Sequence, residues 1–319
     1  MASSSQWGVK KRRGHQAFLL RGALCMAMIT WLLPGCSMHR MVVDRAGDAL
    51  ASSSTTFAAD DDPELVRAAA PFSLKLMESV LAESPNHRGL LSAAARGFTQ
   101  YSYAFVQLDA EELDDRDVAG ANAARTRAKR LYVRARDYGL RGLEIDHSGF
   151  TAKLRADAKA AVRLTGKSDV PLLYWTAASW AALISLSKDT PDLIADLPAV
   201  EAMIDRALEL DESFDQGAIH CFLIAYEMVR QGAKGDPESR ARAHFTRAVE
   251  LSGGLQATPY VALAESVSVA RQDRREFERL LGQGMAIDAK ERPEWRLANV
   301  VMQRRASRLL AHADQMFVE

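Results

Sequence analysis

From Asp60 to the C-terminus apolar residues recur every three or four positions, and no run of alternating β-branched residues interrupts them. That period predicts helices and no sheet. Asp62 and Pro63 supply an N-cap acceptor and a first-turn proline. Behind them Leu65, Ala69, Phe72, Leu76 and Val80 fall on one helical face, and Ser84-Pro85-Asn86 stops the helix. The next helix is expected over 88–108, with Leu91, Ala94, Phe98, Tyr101 and Phe105 as its stripe. Further helices are expected over 121–143, 150–164, 170–186, 198–210, 214–230, 237–251, 259–271, 275–287 and 293–317. The pattern thus predicts about 11 helices.

One five-residue unit closes several of them. It occurs as Gly142-Leu143-Glu144-Ile145-Asp146, Ala207-Leu208-Glu209-Leu210-Asp211, Ala248-Val249-Glu250-Leu251-Ser252 and Gly284-Met285-Ala286-Ile287-Asp288. A weaker copy is Val80-Leu81-Ala82-Glu83-Ser84. The last two steps between copies, 41 and 36 residues, approach the ~34-residue tetratricopeptide period; the earlier, longer steps fit the same unit with insertions. Ile204, Phe245 and Leu281 precede the small residue by three positions, and Val200, Ala241 and Phe277 stand one turn earlier. The unit resembles the second helix of a tetratricopeptide repeat. A small residue lets paired helices approach, a reason for helix-weakening glycines at Gly142 and Gly284. The expected fold class is all-α, a solenoid of helical hairpins like tetratricopeptide repeats over residues 61–319.

The N-terminus follows another pattern. Lys10, Lys11, Arg12 and Arg13 form a basic cluster, and after Arg21 an apolar run extends from Gly22 to Leu33. At about 12 residues it is short for a membrane span, which needs roughly 20, and the layout is that of a secretory signal peptide over 1–35. It ends in Leu33-Pro34-Gly35-Cys36, which resembles the bacterial lipobox, with a proline at an unusual place. The Cys36 thiol would take diacylglycerol, and an acylated Cys36 amine would add the further chain that stable anchoring needs. Ser37, rather than an aspartate, favours the outer membrane by resemblance to Gram-negative lipoproteins. Residues 36–60, with Ser and Thr at 52–56, are expected to be the lipidated cysteine and a flexible tether.

Charge and chemistry narrow the function. The 319-residue chain has 41 basic and 41 acidic side chains; the signal segment holds five of the bases and no acid, so cleavage leaves 36 against 41, a net charge of −5. That excludes a general nucleic-acid binder. Of three cysteines, Cys25 leaves with the signal, Cys36 carries lipid, and Cys221 in the apolar run Ile219–Tyr226 is expected to be a buried thiol. No His-Glu-x-x-His, Cys-x-x-Cys, Gly-x-Ser-x-Gly or Gly-rich phosphate loop occurs, so no metal, cofactor or catalytic residue is expected. Asp109, Glu111, Glu112, Asp114, Asp115 and Asp117 precede a basic stretch from Arg125 to Arg136. The two either neutralise each other or offer faces to a partner. Aromatic residues gather at 97–107 and 172–182. At about 100° per residue, Phe98, Tyr101 and Phe105 share a face while Tyr103 and Gln107 point elsewhere. Trp175 and Ser179 share another face. Such helices either fill a core or line an apolar cleft, and for the cleft the candidates are Tyr101, Tyr103, Gln107, Tyr174, Trp175 and Trp180.

Taken in order, the lipobox, Asp62-Pro63-Glu64-Leu65-Val66, Leu81-Ala82-Glu83-Ser84-Pro85-Asn86, Arg88-Gly89-Leu90-Leu91, Ala95 to Tyr101, Arg134 to Leu140 and the Tyr174-Trp175 helix resemble the T component of TRAP transporters (tripartite ATP-independent periplasmic transporters), from Asp60 to the C-terminus. The resemblance implies a periplasmic lipoprotein of tetratricopeptide-like hairpins that forms homotrimers. It also implies a partner, the extracytoplasmic substrate-binding protein of a TRAP system, and a ligand-accessible cleft or pore; an apolar cleft would be expected to hand a hydrophobic solute to that partner. It implies no enzyme. The other function considered is a scaffold lipoprotein of outer-membrane assembly or secretion.

Overall fold

A computed structural model of the chain describes residues 34–52 and 54–318. Residues 1–33 of the expected signal segment (1–35) and the side chain of the lipidation candidate Cys36 lie outside the described residues. The described chain is all-α, without a strand. Its helices are α1 (Pro34–Ser52), α2 (Ser54–Ala58), α3 (Pro63–Glu83), α4 (Arg88–Ser102), α5 (Leu108–Leu113), α6 (Val118–Asp146), α7 (Phe150–Ala156), α8 (Ala158–Val162), α9 (Val170–Ser185), α10 (Pro191–Ile194), α11 (Leu197–Leu210), α12 (Ala218–Tyr226), α13 (Pro237–Ser252), α14 (Thr258–Leu263), α15 (Arg274–Met285), α16 (Arg296–Ala311) and α17 (Ala313–Met316). Two π-helical segments, Tyr103–Gln107 and Ala264–Ser268, continue α4 and α14. The chain divides into two compact units, 1–46 and 47–319, and the second holds every contact described below.

The stretch expected to be a tether is helical over α1 and α2. Within the second unit it rests on the domain: Leu50 and Phe57 pack against the main core, and Arg296 donates to the Ala59 carbonyl at 3.2 Å. A Cβ on Gly47 would stand 2.6 Å from the His87 ring. The serines and threonines at 52–56 suggested a free segment; the two apolar residues flanking them dock it.

α3 starts as the sequence indicates, with the Asp62 carboxylate accepting from the backbone N–H groups of Glu64 and Leu65 at 2.9 and 3.1 Å. Its inward face differs. Val66, Leu74, Met77 and Leu81 are buried, whereas Leu65 is 58% and Phe72 74% exposed. α3 carries apolar residues on two faces, and periodicity alone does not say which of them meets the protein.

Successive helices pack as neighbours: α4 on α6, α6 on α9, α9 on α11, α12 on α13, and α15 on α16. Leu90, Leu91, Tyr132, Leu143, Phe150, Leu172, Leu173 and Ile204 are fully buried in the larger core. Ile224, Val261, Phe277, Leu280 and Leu281 fill a second one. Asp169, 3% exposed at the start of α9, joins three elements: it accepts from Arg88 Nη2 at 2.6 Å, from the Gly166 N–H at 2.8 Å, and lies 2.9 Å from His147 Nε2. Burial alone would raise its pKa; these partners outweigh it and hold the carboxyl below its usual range.

The small residues of the repeated unit behave differently from one another. Ala207 and Ala248 are buried. A Cβ on Gly142 would meet Leu172 Cδ2 at 2.5 Å, while one on Gly284 would find nothing nearer than 3.5 Å. Close packing therefore explains Gly142 and leaves Gly284 without that reason. The tightest approach of α6 to α9 is at Gly139, whose added Cβ would lie 2.0 Å from Thr176 Oγ1 and 3.4 Å from its backbone Cα. Gly139→Ala is expected to destabilise the protein by about 1–2 kcal/mol, overpacking exceeding the gain in helix propensity. Gly282→Ala, with no atom within 4 Å of the new methyl, should instead stabilise by about 0.5–1 kcal/mol. Urea unfolding followed by circular dichroism measures both, and a destabilised Gly282→Ala would contradict the packing described.

Candidate ligand cavity

α3, α4, α9, α11, α12, α14 and α16 surround a cavity of about 1340 Å³. Its walls are mainly apolar: Val66, Leu74 and Met77 from α3, Tyr174 and Trp175 from α9, Leu197 from α11, Phe222 from α12, and Val301 and Met302 from α16. Trp295 lines it from the turn before α16.

Five of the six sequence candidates are in this wall: Tyr101, Tyr103, Gln107, Tyr174 and Trp175. Straight-helix geometry sends Tyr103 and Gln107 away from Tyr101 and Phe105. The π segment at Tyr103–Gln107 puts an extra residue into that turn and shifts the faces, so all four reach one cavity. The second π segment, Ala264–Ser268, contributes Glu265 and Ser266 to the same wall. Trp180 does not line it. Five residues beyond Trp175, it stands about 140° further round α9; it is buried beneath the Arg136 guanidinium, 5.1 Å from the ring. Ser179 is likewise buried, its hydroxyl donating to the Thr176 carbonyl at 3.0 Å.

The polar end of the cavity is a linked set. Tyr132 donates to Gln107 Oε1 at 2.7 Å, and Gln107 Nε2 donates to Glu111 at 3.3 Å. Arg305 grips Glu265 with two hydrogen bonds of 2.8 and 2.6 Å and Glu111 with a third of 2.7 Å. Its guanidinium lies 5.9 Å from the Tyr103 ring centre. One arginine thus ties α16 to both π-distorted helices. Burial pushes the Tyr103 hydroxyl up to about 12 and raises those of Tyr132 and Tyr174 as well. All three are protonated hydrogen-bond donors at neutral pH.

The acidic stretch at 109–117 is largely paired within the molecule. Arg67 binds Asp109, Arg125 binds Asp114, Arg305 binds Glu111, and Asp117 caps α6 through the Gly120 N–H. Among the described residues, only the Arg125–Asp114 pair realises the expected neutralisation by the basic stretch that follows. Cys221 is buried as expected and lines the cavity; burial pushes its thiol up to about 12, so it is a neutral, unreactive group. Sequence reasoning missed Arg96, Glu265, Trp295 and Met302. Local pattern marks none of the last three, because they arrive from helices some 160–200 residues away in the chain from α4. It also missed the pairing of His220 on α12 with His244 on α13, whose Nδ1 atoms are 2.9 Å apart.

A family model described as TRAP transporter T-component matches residues 59–317. An uncharacterised protein of Treponema pallidum (strain Nichols) is 27% identical over 315 residues, which is 92% of this chain and 97% of that protein. Among the described residues, no helix is long and apolar enough to cross a membrane.

Proposed function

This chain belongs to the TRAP transporter T-component family, and on that premise we propose that it is a lipid-anchored accessory that docks the system's substrate-binding protein and handles a hydrophobic ligand. The family is one of transport accessories. The observation that carries the ligand half of the proposal is the cavity: a space of about 1340 Å³, walled mainly by aliphatic and aromatic side chains with Gln107, Tyr132 and Glu265 among its few fixed polar groups, has the make-up of a small-molecule site. In this reading Tyr101, Tyr103, Gln107, Tyr174 and Trp175 contact the ligand. Trp180 supports α9 from behind.

The anchor in this proposal is Cys36, acylated at the periplasmic face of the outer membrane after removal of residues 1–35. A homotrimer would present several cavities to one diffusing partner and raise its local concentration. The exposed apolar residues of α3, Leu65, Phe72 and Leu76, are surface available for such contacts. The test is affinity capture from detergent-solubilised envelope with the tagged full chain, partners being identified by mass. We expect recovery of a TRAP-type substrate-binding protein. Recovery of outer-membrane assembly or secretion machinery alone would replace the proposal with a scaffold role.

A further inference from the structure

Arginines in this protein are generally held by carboxylates: Arg67 by Asp109, Arg88 by Asp169, Arg134 by Glu78, Arg242 by Glu276, Arg305 by Glu265. Arg96 is an exception. It lies half-buried in the cavity wall on α4, and no carboxylate among the described residues comes within ion-pair distance. Its guanidinium sits over the Trp175 ring at 5.7 Å, and its Nε makes one long hydrogen bond, 3.4 Å, to the neutral Gln100 amide. Beside it the Tyr174 ring meets Trp175 edge-on at 4.8 Å. The Tyr174 hydroxyl makes no hydrogen bond among the described residues, and the residue is 9% exposed. An arginine without a carboxylate and a tyrosine hydroxyl without a protein partner thus line the same cavity as Trp175 and the aliphatic side chains of Leu74 and Met77.

A guanidinium desolvated on one side by an indole ring interacts strongly with an anion and gains most from one that meets its fork with two oxygens. Of the other charged residues that border the cavity, Glu201 accepts from the Tyr226 hydroxyl and Glu265 is held by Arg305, while Lys188, Asp215 and Glu294 are exposed; none forms an ion pair with Arg96.

We propose that the cavity binds an amphipathic carboxylate, its headgroup held by the Arg96 guanidinium with the Tyr174 hydroxyl as second donor, and its apolar chain laid along Leu74 and Met77. This rests on the ligand-handling reading given above and adds the chemical class of the ligand. Arg96 is the residue that decides between charged and uncharged headgroups, while the aliphatic wall binds either.

The test compares radiolabelled decanoate with its uncharged isostere decanamide by equilibrium dialysis near neutral pH. The full chain is held in lipid nanodiscs, and empty nanodiscs give the partition blank. We expect decanoate to bind about tenfold or more tightly than decanamide, the range of a charge-assisted hydrogen bond. Arg96→Met should bring the ratio close to one while retaining decanamide binding, and Arg96→Lys should keep part of the preference. Equal binding of the two probes by the parent protein overturns the inference and leaves the apolar cavity as a ligand site. Binding of neither overturns both. The ratio in the parent decides the matter even if Arg96→Met fails to fold.

Discussion

Arg305→Met is expected to destabilise the protein by about 3–5 kcal/mol, the range for removing one partner of a buried ion network. Arg305 has a side-chain exposure of 13% and faces Glu265 and Glu111, at 26% and 30%. Without the guanidinium, Glu265 has no cation within ion-pair distance among the described residues and Glu111 keeps only Arg308, at 4.0 Å; beside an apolar cavity both lose solvation and repel each other. The cost is therefore mainly that of stranded charge, which two further substitutions isolate. Adding Glu265→Gln and Glu111→Gln to Arg305→Met removes the charges along with their partner and should recover most of the loss. Urea unfolding curves of the parent, the single and the triple variant, followed by circular dichroism, provide the comparison. A single variant within about 1 kcal/mol of the parent would mean that water already screens these groups, as at surface pairs. The Tyr103 ring rests against the same guanidinium, so the variant should also loosen the polar end of the cavity.

The helices were legible because their signals are local. Asp62, Asp117, Asp157, Asp236 and Asp273 each cap a helix in the chain's own neighbourhood, and the apolar period does the rest. The site was legible in part. Tyr101, Tyr174 and Trp175 announce an aromatic wall, but a sequence read at a constant 100° per residue contains no π turn, so it separates Tyr103 and Gln107 from the side they in fact share. It also gave Trp180 the same weight as Trp175, because both look alike in an apolar helix. Only the packing of α6, which brings Arg136 over Trp180, distinguishes them. The face of α3 was misread for the same kind of reason: two apolar faces on one helix are equivalent until a neighbour chooses between them. What stays hidden in a linear pattern is what distant segments do to each other, and the histidine pair is another instance. His220 and His244 are 24 residues apart, at no spacing that suggests contact.

Acidification from about pH 7.5 to about 5 should weaken the fold through that pair. Its members are buried or half-buried where α12 meets α13, with ring centres 5.1 Å apart. One imidazole N–H donates to the other ring's nitrogen, an arrangement that requires at least one neutral ring. Around them stand Glu212, 3.7 Å from His220 Nε2, and Arg247, with Asp205, Glu227, Arg230 and Arg240 disposed about His244. Burial and then the neighbouring ring push His220 down from 6.5 to about 4, and burial also lowers His244. The sign follows: the unfolded chain takes up protons at a higher pH than the folded one. The stabilisation is fully present above the unfolded pKa near 6.5, and it is lost as pH falls from there towards about 4. For His220 this amounts to about 2 kcal/mol between about pH 7.5 and about 5. Urea unfolding at the two pH values measures it. The variant His220→Phe/His244→Phe, which keeps the ring volumes and removes the protons, should show a smaller difference between them. If the double variant loses as much stability on acidification as the parent, other groups carry the effect and the paired imidazoles are not what couples the α12–α13 contact to pH.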